Sequence, residues 1–169
     1  MKLFDKIRKS KKGSIQDVLY LGVIILFAAV VILIGYKIAN VFDTNIQANT
    51  DMPAEGKTAS TKLVGYYPTV IDNSFLFLVI GMSIVTLLMA SLVRVHPIFL
   101  VFFIIGLVFI IFLCGMFTNI YETMASDPLL STEAAGLSKI GFIVGKLPFI
   151  IGIFGVVLMI IMYKMGENQ

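Results

Sequence analysis

Four long apolar runs, at 15–36, 74–93, 97–118 and 140–163, alternate with shorter polar connections along the 169 residues. An α-helix rises about 1.5 Å per residue, so roughly 20 apolar residues cross a hydrocarbon core about 30 Å thick. Each run is near that length. The stretch 23–34 is apolar at every position, which disfavours the alternating strands of an outer-membrane barrel. It suits helices that satisfy their own backbone in lipid. The pattern predicts an all-α, polytopic transmembrane helical bundle of four spans within 15–165. It adds a basic arm over 1–14, outer connections over 40–72 and 119–139, and a short polar tail over 166–169.

Local signals punctuate this plan. Ser14 with Asp17 three residues later is a capping-box pattern at the start of span one. The stretch 45–62 is rich in Asn, Thr, Ala and Ser, with Pro53 and Gly56, and predicts a mobile segment. The apolar stretch 63–71, which contains Tyr66-Tyr67-Pro68, is expected to rest on the membrane or on a partner. Arg94-Val95-His96 joins spans two and three in a tight hairpin, and Pro97 suits the first turn of a helix. Ser126-Asp127-Pro128 is a helix-start signal. Residues 131–146 are weakly amphipathic and read as an interfacial helix leading into span four. Pro148 then marks a kink or the first turn of the span proper.

Composition and charge add an orientation. Hydrophobic residues make up 59% of the chain and charged residues 14%, against roughly 25% charged in a soluble domain. Six of the thirteen Lys and Arg fall in the first twelve residues: Lys2, Lys6, Arg8, Lys9, Lys11 and Lys12. Such residues mark the cytoplasmic side, as do Arg94 in the turn and Lys164 near the end. The connection 40–72 sets Asp43, Asp51, Glu55 and Asp72 against Lys57 and Lys62, net −2. The connection 119–139 sets Glu122, Asp127 and Glu133 against Lys139, also net −2. Both termini are therefore expected on the cytoplasmic, inner side. Tyr20, Tyr36, Tyr66, Tyr67, Tyr121 and Tyr163 stand near span ends, where amphipathic rings mark the membrane–water boundary. The basic arm is expected to meet anionic lipid headgroups rather than nucleic acid. The setting is a cell's inner membrane or the internal membrane of a virion.

The stretch from Lys9 to Asp17, basic residues ending in Gly13 and followed by an apolar run, resembles a type IV prepilin leader. That resemblance makes Gly13 the residue before a cleavage point and Asp17 the early acid of the helix. The family pattern has Glu one position later, and pilins have one apolar helix with a soluble head, whereas three further spans follow here. Residues 1–13 are read as an arm that stays on the chain.

Candidate chemistry is sparse. Gly141, Gly145, Pro148, Gly152 and Gly155 recur at alternating steps of four and three, within a strip roughly 80° wide. Small residues let helices approach closely in lipid, so the strip is expected to pack on span one or two, or on another copy. Ser83, Thr86 and Ala90 form the candidate facing stripe on span two. Lys37, Lys139 and Lys146 are expected to snorkel to headgroups. His96 has no companion ligand, and Cys114 reads as a small buried hydrophobe. No span carries Asp or Glu in its middle third, and no cofactor, metal or small-molecule substrate is indicated. The expectation is a non-enzymatic integral membrane protein, a structural or assembly subunit of a membrane-embedded complex. Its partners are other membrane proteins or copies of itself, in a virion's internal membrane or in secretion, pilus or conjugation machinery. The alternative is an oligomeric channel or holin-like pore.

Overall fold

The computed structural model describes residues 15–91 and 97–167, and every element among them is helical. Helices α1 (Ile15–Ala48) and α2 (Ala54–Ser91) are followed by α3 (Pro97–Ala125). Two short helices, α4 (Ser131–Gly136) and α5 (Ser138–Gly145), lead into α6 (Leu147–Glu167). Among the described residues, four helices are long and apolar enough to cross a membrane, over Val18–Ala48, Ala54–Leu88, Leu100–Ala125 and Leu147–Lys164. The basic arm with Lys2, Lys6, Arg8, Lys9, Lys11 and Lys12 lies outside the described residues, as do Ser14, Arg94, His96 and the last two residues.

The connection expected over 40–72 is helical except at 49–53. As a result α1 runs 34 residues and α2 38, about 51 and 57 Å at the helical rise. Turn chemistry is confined to the break: the Asp51 amide donates to Asn49 Oδ1 at 2.9 Å, an Asx turn. The flanking helix ends are tied together. Lys57 Nζ donates to the Gln47 carbonyl at 2.9 Å, placing a cation at the negative end of α1. The Gln47 side-chain amide donates to the Lys57 carbonyl at 2.9 Å, to Thr61 Oγ1 at 3.0 Å and to Asp43 Oδ1 at 3.2 Å. The stretch 45–62, expected to be mobile, is thus a stitched helical hairpin, and 63–71 is part of α2.

The connection over 119–139 and the fourth span also differ from expectation. Helix α3 continues to Ala125, and 126–130 form a turn in which Asp127 Oδ1 accepts the Leu129 amide at 2.8 Å. The run expected as one span over 140–163 is divided between α5 and α6 at Lys146 (φ −108°, ψ 12°). Pro148, in the first turn of α6, has no amide for the carbonyl four residues back. That carbonyl, of Val144, accepts the Thr118 hydroxyl at 2.8 Å instead.

The described chain forms two compact units. One takes α1 as far as Val23, the stretch 80–116, and α6 from Leu147; the other takes Ile24–Val79 and Phe117–Lys146. In the first, Phe103, Leu107, Ile110 and Cys114 of α3 are buried, as are Leu147, Ile151, Phe154, Leu158 and Met162 of α6. Their three- and four-residue steps are one helical face each. In the second, Ile25, Ala29 and Leu33 of α1, Phe75 and Val79 of α2, and Ile140, Ile143 and Val144 of α5 are buried. Large apolar side chains also point outward, among them Phe27, Val31, Phe77, Phe102, Ile105 and Phe112. Only 17% to 33% of each membrane-length window is buried, a surface that water solvates poorly.

Candidate functional site

Polar side chains converge in the second unit, each set against a partner on another helix. Helix α2 carries Asp72, 5% exposed, to the start of α5. Its Oδ2 accepts the Lys139 amide at 3.0 Å and its Oδ1 the Ile140 amide at 2.8 Å. The first amides of a helix have no partner within it, and Leu137, at the N-cap of α5, offers no side-chain oxygen. Asp72 therefore supplies from another helix the cap that a local Ser or Asp gives elsewhere. Its charge also sits at the positive end of the α5 dipole. The Lys139 ammonium donates to Asn73 Oδ1.

A second pair fastens α4 to α1. Lys37 and Asn40, three residues apart, share a helix face. Glu133, 3% exposed, accepts on Oε1 from Lys37 Nζ at 3.3 Å and from Asn40 Nδ2 at 3.0 Å. Burial pushes the Glu133 carboxyl up. The Asn40 amide, its own backbone amide and the Lys37 ammonium outweigh that and hold it below the ordinary glutamate range. Glu133 Oε2 and Tyr121 Oη are the buried side-chain oxygens without a hydrogen-bond partner among the described residues.

Aromatic packing completes this unit. The Tyr36 and Tyr67 rings stack with centroids 4.9 Å apart and planes 6° from parallel, and Tyr67 Oη donates to the Ile32 carbonyl at 3.2 Å. Gly35 makes the approach possible, since a Cβ there would stand 2.8 Å from Tyr67 Oη. A Cβ on Gly136 would stand 3.2 Å from the Tyr36 ring and 3.8 Å from Pro68.

The glycine strip is divided by the break at Lys146. Gly141 has open space where a side chain would be, and Gly145 stands beside Glu122. On α6, Gly152 meets Ile111 and Gly155 meets Leu107, so the neighbour there is α3 rather than α1 or α2. Pro148, Phe149, Gly152, Ile153 and Val156 line an apolar groove of about 530 Å³, with Ile111 opposite. Lys164 is exposed near the end of α6, and Lys146 is exposed at the break. Lys37, expected to reach headgroups, is paired with Glu133, and Tyr121, expected at a boundary, is buried.

Asp72, Glu133 and Asn40 were not singled out from the sequence, because the two acids counted only as charges in connections. The one available signal was the Lys37/Asn40 spacing on a helix longer than its apolar run. Among the described residues, no group of three or more His, Cys, Asp or Glu side chains is placed to hold a metal ion. No protein-family model, no curated protein and no solved structure matches the chain.

Proposed function

We propose that this chain is a non-enzymatic integral membrane protein that serves as a structural or assembly subunit of a membrane-embedded complex. The supporting observation is how its buried acids are used. Asp72 is engaged by two backbone amides and Glu133 by Lys37 and Asn40, so both fasten helices to one another. Catalytic acids need pKa values and exposure matched to a substrate proton. The outward surface is apolar, suited to acyl chains and to neighbouring apolar helices.

In this reading both termini lie on the cytoplasmic side, and the basic arm binds anionic headgroups. The α1–α2 hairpin outruns the hydrocarbon core by roughly 20 Å, and its stitched polar end stands outside as a stalk for neighbouring proteins or further copies. The settings that fit are a virion's internal membrane and secretion, pilus or conjugation machinery.

The test is the purified protein in liposomes, alongside its isolation from native membranes. An inert protein that co-purifies in fixed ratio with a larger assembly is the expected result. Ion flux or dye leakage from the protein alone would replace this reading with that of an oligomeric channel or holin-like pore. For orientation, a cysteine at Glu55 should label from outside and one at Lys9 from inside, with Cys114 replaced by alanine. The reverse pattern overturns the orientation.

A further inference from the structure

In α4 the one buried side chain is that of Glu133. Ser131, Thr132 and Ala135 are exposed, and Ala134 is half-buried. A six-residue helix has no stability of its own, and this one has no apolar residue seated in a core. What holds it is the Glu133 carboxylate on Lys37 and Asn40, with Gly136 lying against Tyr36 and Pro68. The next helix is different: Leu137, Ile140, Ile143 and Val144 are all buried. Leu137, at φ −104° and ψ 58°, breaks the helix between the two.

We infer that α4 is an acid-releasable latch: protonating Glu133 frees 131–136 from α1 while α5 stays in place. Facing the carboxylate from α1 are Lys37 and Asn40, and Lys37 is the cation paired with it. Tyr36 of α1 and the uncharged Pro68 of α2 lie against Gly136. Of the other charged groups on α1, α2 and α5, Asp43 accepts from Gln47 and Thr61, Lys57 donates to the Gln47 carbonyl, Asp72 accepts the α5 amides and Lys139 donates to Asn73, while Glu55 and Lys62 are exposed. A neutral carboxyl keeps its volume but loses the attraction to Lys37, and a proton on Oε2 finds no partner among the described residues. The sign follows from the lowered folded-state value. Docking is fully present above the ordinary glutamate value of 4.5 and is lost as pH falls through the lower folded one.

The test is hydrogen exchange by mass spectrometry on the full chain in detergent micelles, with protection corrected for the intrinsic exchange rate at each pH. Peptides covering 131–137 should lose protection between pH 7 and pH 3 while α3 peptides keep theirs. Glu133→Gln should be deprotected by a similar factor at pH 7 and show no pH dependence. Lys37→Met removes the hydrogen bond and the charge by which Lys37 lowers the Glu133 value, so that value rises and release should move to higher pH. Wild-type protection that is flat down to pH 3 overturns the latch without recourse to any variant. So does full protection in Glu133→Gln at pH 7, or an unmoved midpoint in Lys37→Met.

Discussion

Replacing Gly155 by alanine probes a close approach between α6 and α3. The added Cβ would stand 2.6 Å from Leu107 Cδ2 and 3.0 Å from Leu107 Cγ, and nearer still to Cδ1. Because Cγ itself is that close, turning the terminal methyls does not relieve the overlap. Leu107 is 7% exposed, so moving it pushes on its neighbours in turn. Overpacking of this kind costs roughly 1–3 kcal/mol, and alanine regains up to about 1 kcal/mol of helix propensity over glycine. The net expectation is a destabilisation of about 1–2 kcal/mol. Gly141→Ala is the control, because its Cβ would meet nothing within 4 Å. It should be neutral or stabilising by up to about 1 kcal/mol. Equilibrium unfolding in mixed micelles, followed by far-ultraviolet circular dichroism, reads both. Shortening the obstacle with Leu107→Ala should make Gly155→Ala less harmful than it is alone, a coupling of about 1 kcal/mol. A Gly155→Ala protein as stable as the parent refutes the argument. So does a larger loss from Gly141→Ala, which would mean that the Gly141/Gly145 pair carries the packing.

Five other substitutions test the second unit. Asp72→Asn leaves one acceptor for two α5 amides and removes the charge at the dipole, costing about 1–2 kcal/mol; exchange at amides 139 and 140 should accelerate, and unchanged protection contradicts the cap. Gly35→Ala should drive Tyr67 Oη off the Ile32 carbonyl at a cost of about 0.5–1.5 kcal/mol. Adding Tyr67→Phe should then remove the sensitivity to Gly35→Ala, because the next ring atom is 4.0 Å away, and persistence of the loss rejects the contact. Tyr121→Phe removes a buried hydroxyl that has no partner among the described residues, so unfolding should show equal stability or a gain of up to about 1 kcal/mol; a clear loss means the hydroxyl is bonded. Thr118→Val strips the Val144 carbonyl of its donor and should cost about 0.5–1.5 kcal/mol in the same unfolding assay, with no loss if the carbonyl is satisfied otherwise.

Hydropathy alone located the four membrane-length helices, because each needs a long apolar run whatever its neighbours do. It could not find where they end. Polar residues such as Thr44, Gln47, Thr58 and Thr61 continue a helix as readily as they form a loop when a second helix lies alongside to take their hydrogen bonds. Thr44 and Thr58 bond back to the carbonyls of Asn40 and Ala54 at 2.9 Å, and Gln47 crosses to α2. Composition counted these residues as turn formers, although the geometry that breaks the chain is local to 49–53. The proline signals were legible for a different reason. Pro97 and Pro148 act within their own segment, by a missing amide, so no knowledge of the partner helix is needed to place them at helix starts.

The candidate site was harder to read because its residues are polar only in sequence. Asp72 and Glu133 each entered the charge count as outer acids, but one is engaged by the α5 amides and the other by Lys37. Neither is a free charge facing water. Taking them out weakens the acid half of the orientation argument at both connections. The basic half is untouched, and it is the half with physical weight, since acidic residues contribute little to topology. Lys2, Lys6, Arg8, Lys9, Lys11, Lys12, Arg94 and Lys164 stand on the proposed inner side against Lys37, Lys57, Lys62, Lys139 and Lys146 on the outer. Of the outer five, Lys37 is paired with Glu133, Lys57 is held on the Gln47 carbonyl and Lys139 on Asn73. The proposed orientation thus rests on the N-terminal arm. Neutralising Lys6, Arg8, Lys9, Lys11 and Lys12 should randomise or invert the insertion of the bundle, whereas Asp72→Asn and Glu133→Gln should leave it unchanged, as read by cysteine labelling at Glu55. If the acid substitutions flip the topology and the arm substitutions do not, then the buried carboxylates act during insertion, before their partners reach them.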